Sequence, residues 1–167
     1  NNFSKNIEKT WPGYKEAHCR LIKKIKVKGI TLEKYILDNN IKKINYLHID
    51  TQGSDLNVLK GLKRHIGIVD GGVLEAAVDK KNSLYQSNHT VKETKKFLYE
   101  KKFIISKVES VDENIDKEKN IYFHRKNIKK INTKYNMRYF NRIISNRLTF
   151  KDKFFDKIKK IILFKFH

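Results

Sequence analysis

Two acidic side chains stand close to the ends of apolar runs. Asp50 closes the run 44–49 and is followed at once by Thr51-Gln52-Gly53 and a helix start, while Glu75 lies late in the run 73–78. In an open α/β sheet, ligands bind outside the carboxyl ends of the strands, so both carboxylates occupy candidate positions for holding a ligand or moving a proton. Each also has a plainer reading: Asp50 caps the helix that follows, and Glu75 either lines a pocket or pairs with a lysine inside the sheet. Gly53 suits a sharp turn where a side chain would obstruct the backbone or a ligand. Asp55, in the first helical turn, reads as a charge matched to the positive helix end. The histidines at 18, 48, 65, 89, 124 and 167 include no i,i+4 pair and have no companion cysteines, so no zinc site is expected. No nucleophile-elbow motif is recognisable, which leaves no expectation of Ser-His-Asp chemistry.

The elements that must position these groups follow from periodicity. Ile25, Val27 and Ile30 suggest a short strand. Thr31 then serves as N-cap of a helix running to about residue 39, with Leu32, Tyr35 and Ile36 on one face. The run 44–49 reads as a strand buried on both faces, the habit of parallel sheets. A helix over 54–66 carries Leu56, Leu59, Leu62 and Ile66 at helical spacing and stops at Gly67. Residues 73–78 form the next strand, and Thr90-Val91-Lys92-Glu93 is a capping box opening another helix. Strands at 103–111 and 120–125 are separated by a turn too short for a crossover helix, so they form an antiparallel hairpin. The order β-α-β-α-β-α-β-β implies a mostly parallel sheet, helices on both faces and an antiparallel edge hairpin.

The stretch Tyr46-Leu47-His48-Ile49-Asp50-Thr51-Gln52-Gly53-Ser54-Asp55-Leu56-Asn57-Val58-Leu59-Lys60-Gly61 resembles the signature of FkbM-type methyltransferases. In that family a strand ending in Ile-Asp is followed by Glu or Gln, Gly, a variable residue, an acid, and a helix reading Leu-x-Val-Leu-Lys-Gly. Val27-Lys28-Gly29-Ile30-Thr31-Leu32, Val73-Leu74-Glu75 and Asn120-Ile121-Tyr122-Phe123 are similar to other family elements, so the resemblance spans roughly residues 25–126. His48 stands where the family often has Lys, and Asp55 where it often has Glu. The resemblance implies a Rossmann-like methyltransferase fold in partial form. It also implies S-adenosylmethionine as methyl donor, and as acceptor a hydroxyl on a sugar, glycan or small metabolite. It places Asp50 and Gln52 on the catalytic or cofactor-facing rim, and since methyl transfer to oxygen needs a group that orients the hydroxyl or takes its proton, Asp50 is the expected catalytic residue. Gln52, Gly53 and Glu75 fall to the cofactor-binding or pocket rim. No metal is implied.

The family's cofactor site begins with a glycine-rich loop. The seven glycines here, at 13, 29, 53, 61, 67, 71 and 72, include no G-x-G spacing. The cofactor-binding strands are therefore expected upstream of Asn1. Met137 is the single methionine, which agrees with a processed chain or a piece of a longer one, inactive in isolation. The enzymatic reading turns on Asp50 leaving an interior parallel strand, facing the groove where a donor would lie.

At 167 residues the chain suits one domain, and 39% apolar residues suffice for a core. The net charge is +20. Residues 127–167 hold 12 Lys or Arg and 2 acids, so this quarter of the chain carries half the excess charge. Phe154, Phe155, Ile158, Ile161 and Ile162 fall on one helical face there, with lysines around them, so the sequence predicts a basic helical extension. Such a helix docks on the domain or its missing N-terminal half, or lies on an anionic membrane surface. Tyr135, Tyr139 and Phe140 among Arg138 and Arg142 would suit stacking on RNA. The rival function is thus a non-catalytic basic module binding nucleic acid or membrane through this tail. Abundant Lys, Asn and Ile also match an AT-rich coding bias, which gives lysine no partner at all. There is no apolar run near membrane-span length and no signal-peptide core, and Cys19 is alone; these point to a cytoplasmic protein.

Overall fold

The computed structural model describes residues 3, 5, 7–11, 23, 25–81, 83–86, 88–112 and 116–128. Cys19 and the basic extension from residue 129 onward lie outside these. A four-residue helix α1 (Ile7–Thr10) comes first, followed by α2 (Leu32–Asp38). Thr31 caps α2 as expected, its side chain accepting from the Lys34 amide at 3.1 Å. The strand foreseen at 25–30 does not form. Ile25 and Val27 are 73% and 83% exposed, and the run pairs with no described strand. An apolar alternation broken by Lys26 and Lys28 has no sheet edge to join here, and an unpaired strand gains nothing from its pattern.

Strand β1 (Leu47–Ile49) is followed by α3 (Asp55–Lys60) and a 3-10 segment, Lys63–Ile68. The helix expected over 54–66 is therefore divided after Gly61, and Gly67 lies inside the tighter segment instead of stopping it. The remaining elements match their sequence patterns closely: β2 (Gly71–Ala77), α4 (Val91–Glu100), β3 (Phe103–Ser110) and β4 (Glu118–Arg125). The α4 capping box is complete: the Glu93 amide donates to Thr90 Oγ1 at 3.2 Å, and the Thr90 amide to Glu93 Oε2 at 2.7 Å.

The sheet order is β1-β2-β4-β3. Only β1 and β2 are parallel; β2–β4 and β3–β4 are antiparallel, so the described sheet is mixed and not mostly parallel. The expected β3–β4 hairpin is present, with a register shift between Ile105 and Lys107. Alternation sends Leu74, Ala76, Ile121 and Phe123 to one face, where they join Ile36, Leu59, Leu62 and Leu98 in a single buried cluster. Residues of α2, α3 and α4 all belong to that cluster, so these three helices share one face of the described sheet and are not divided between both faces as expected; α1 contributes nothing to the cluster. The other face carries His48, Glu75, Asn120 and Tyr122.

Gly72 is dictated by strand spacing. A Cβ there would stand 2.1 Å from the Leu47 carbonyl oxygen, so only glycine lets β1 approach β2. Arg125 fastens the same end of the sheet. Its Nη2 donates to the Ile66 carbonyl at 2.7 Å and its Nε to that of Val69 at 3.2 Å, and its guanidinium lies 3.8 Å from the centre of the Phe103 ring.

A carboxylate-rich candidate site beyond β1 and β2

The last paired residues of the parallel strands are Ile49 and Leu74, so Asp50 leaves β1 level with Glu75 of β2. Asp50 is exposed, and its Oδ1 accepts from Gln52 Nε2 at 2.6 Å. Two successive left-handed residues, Gln52 (φ 52°) and Gly53 (φ 97°), then reverse the chain. Gly53 is required twice over: its φ is one that other residues rarely adopt, and an added Cβ would lie 2.6 Å from Tyr85 Cβ. Asp55 holds the turn from inside. It is 2% exposed, and its carboxylate accepts from the amides of Thr51 (3.3 Å) and Gly53 (3.2 Å). Burial pushes its carboxyl above the ordinary range, and the two amides pull the other way. Asp55 is thus a structural acid that ties the turn to the helix start, matching the helix-end reading of its sequence position.

The segment after β2 folds back across this turn. The Tyr85 hydroxyl donates to Gln52 Oε1, and Phe3 stacks on the Tyr85 ring with centroids 5.5 Å apart. Asn88 is buried, and its Nδ2 donates to Glu118 Oε1 at 2.9 Å. Gln52 is therefore a bridge, orienting Asp50 with its amide nitrogen while Tyr85 holds its oxygen.

Glu75 occupies the interior position that sequence reasoning gave to Asp50. β2 lies between β1 and β4, whereas Asp50 follows an outer strand of the described sheet. The β1 pattern of half-buried Leu47, exposed His48 and buried Ile49 is likewise that of an edge strand with one covered face, not of one buried on both faces. Glu75 is partly buried and, among the described residues, its side chain makes no hydrogen bond or ion pair; the lysine partner considered for it is not there. Burial pushes its pKa up to about 7, and the nearby carboxyls of Glu118, Asp50 and Asp55 push the same way. Glu118 is raised as well, chiefly by burial. Four carboxyls thus feel one another at one end of the sheet, in a chain whose net charge is +20. Among the described residues no group of three or more His, Cys, Asp or Glu is placed to hold a metal.

Tyr85, Asn88 and Glu118 were not legible as site residues. The stretch 79–89 reads in sequence as a polar loop, and Glu118 as part of an acidic turn. The usable signal was position, since a loop leaving the carboxyl end of a strand is where α/β domains place ligand contacts.

A mixed α/β domain whose convergent polar groups lie beyond the carboxyl ends of its parallel strands has the arrangement of a ligand-binding α/β enzyme. A family model described as Methyltransferase FkbM domain matches residues 2–105, well over half of the chain. The chain belongs to the FkbM methyltransferase domain family. The match takes in residues 2–24, which precede the span of the sequence resemblance, and ends within β3. No curated protein and no solved structure matches the chain. No helix among the described residues is long and apolar enough to cross a membrane.

Proposed function

We propose that this domain catalyses methyl transfer from S-adenosylmethionine to a hydroxyl oxygen of a sugar, glycan or small metabolite. The observation that carries the reading is the gathering of Asp50, Asp55, Glu75 and Glu118 at the carboxyl end of the parallel pair, in a chain otherwise rich in cations. Such a rim complements a donor bearing sulfonium and ammonium charges, so the residues present fit the group. S-adenosylmethionine supplies an electrophilic methyl carbon when bound. Asp50, held by Gln52 and Tyr85, orients the acceptor hydroxyl. With the donor bound, a carboxylate oxygen of Asp50 or Glu75 would take the acceptor hydroxyl's proton as that oxygen receives the methyl group. A carboxyl titrating near neutrality, as Glu75 does, has the proton affinity such a transfer needs.

The outer edge of β1, which pairs with no other strand among the described residues, is the place where further parallel strands of a Rossmann-like sheet would add. They would bring the glycine-rich loop that the present sequence lacks and turn β1 into an interior strand. The 167 residues alone are then expected to bind S-adenosylmethionine with a Kd of about 1 mM, and a chain extended upstream through such a loop with a Kd in the micromolar range. Titration calorimetry on the two chains tests this. Micromolar binding by the 167 residues would remove the need for an external cofactor loop, and equally weak binding by both would remove the proposed donor site.

A further inference from the structure

Away from the carboxylate end, an open groove of about 740 Å³ runs along α4 beside the outermost strand β3. Val78, Val91, Tyr99 and Val108 give it an apolar lining, and Glu100 is the single acid in that lining, against four lysines. Lys92, Lys95 and Lys96 form the rim, at i, i+3 and i+4 spacing on the helix. Some lysines elsewhere sit in ion pairs, such as Lys34–Asp38, Lys43–Asp70 and Lys63–Glu33, while others, such as Lys26, Lys28 and Lys42, stand exposed and share no helix face. The three rim lysines have no ion-pair partner among the described residues. Two further apolar side chains on or next to β3, Ile104 and Val111, are 40% and 45% exposed. Among the described residues β3 pairs only with β4, so its other edge presents unmatched backbone donors and acceptors.

We propose that this groove receives an extended acidic segment of a partner protein, laid beside β3. Three features select that occupant. The strand edge offers main-chain pairing to an incoming strand, and the apolar floor takes every second side chain. The lysine rim then takes the carboxylates between them. Charge argues against the chain's own material. Residues 127–167 carry a net +10, and a second copy would bring another +20 against the same lysines. A nucleic acid would find one aromatic ring, Tyr99, on an otherwise aliphatic floor, which gives bases little to stack on.

The test uses the full 167-residue chain and a fluorescein-labelled peptide of alternating glutamate and valine, with titration by fluorescence anisotropy. Binding that weakens as salt is raised is expected. Reversing Lys92, Lys95 and Lys96 to Glu together is expected to weaken binding by about tenfold. Reversing the exposed Lys26, Lys28 and Lys42 is expected to change it by less than about twofold. Circular dichroism confirms that each variant remains folded, and hydrogen exchange with the peptide bound is expected to show new protection in β3. Equal losses from the two triple variants would reduce the effect to net charge and overturn the proposal. Tighter binding of oligouridylate or of dodecyl phosphate than of the peptide, absence of peptide binding, or unchanged exchange in β3 would each overturn it as well.

Discussion

At the end of the sheet where β2 begins, Arg125 donates to the carbonyls of Ile66, Val69 and Lys101 and lies over Phe103, so its cation is fully engaged by structure. At the end where β2 finishes, Glu75 lies near the carboxyls of Glu118, Asp50 and Asp55, and its side chain makes no hydrogen bond or ion pair among the described residues. The first arrangement satisfies backbone acceptors that burial would otherwise leave costly. The second keeps a proton-labile group on the central part of the sheet at a cost in stability, as functional sites commonly do. The same strand is therefore anchored at one end and chemically unsatisfied at the other.

Substitutions at the two ends should behave in opposite ways. The largest effect is expected at the anchored end: Gly72→Ala forces a methyl group into the Leu47 carbonyl and should cost about 3 kcal/mol or prevent folding, read by urea denaturation. Arg125→Ala should cost about 2 kcal/mol by leaving carbonyls unmatched, with little change in how the remaining folded protein binds a donor. At the other end the sign reverses. The pKa of Glu75 is raised on folding from 4.5 to about 7, so its favourable contribution is fully present below pH 4.5 and is lost as pH rises through 7. Glu75→Gln should therefore stabilise the protein at pH 8 by on the order of 1 kcal/mol after solvent screening, and leave it nearly unchanged at pH 4. The smallest change in stability is expected for Asp50→Ala, under about 0.5 kcal/mol because the side chain is exposed. That variant should nonetheless lower methyl-transfer turnover in a chain that binds donor; unchanged turnover would reduce Asp50 to a turn residue.

Much of this contrast was legible before coordinates. The capping box at Thr90, the N-cap at Thr31 and the hairpin of β3 and β4 are local features, and short-range chemistry decided them. The motif from Tyr46 to Gly61 located Asp50, Gln52, Gly53 and Asp55 together, and the structure does bring them into one turn. Strand neighbours were less legible. Residues 25–30 have a strand-like pattern and no partner, and whether an apolar run joins a sheet depends on edges contributed from elsewhere in the chain. For the same reason sequence placed Asp50 on an interior strand, when among the described residues that place belongs to Glu75. The bridge to Asp50 depends on the Tyr85–Gln52 contact, which spans 33 residues of sequence and left no periodic trace.

The most direct measurement is an NMR titration of the isotope-labelled chain with millimolar S-adenosylmethionine, following backbone amides at both ends of β2. Shifts concentrated at Asp50–Gly53 and at Glu75 to Ala77, with Ile66, Val69 and Arg125 still, are the predicted result. Shifts centred on the Arg125 end, or no shifts at either end, would contradict the assignment of the carboxylate end as the donor site.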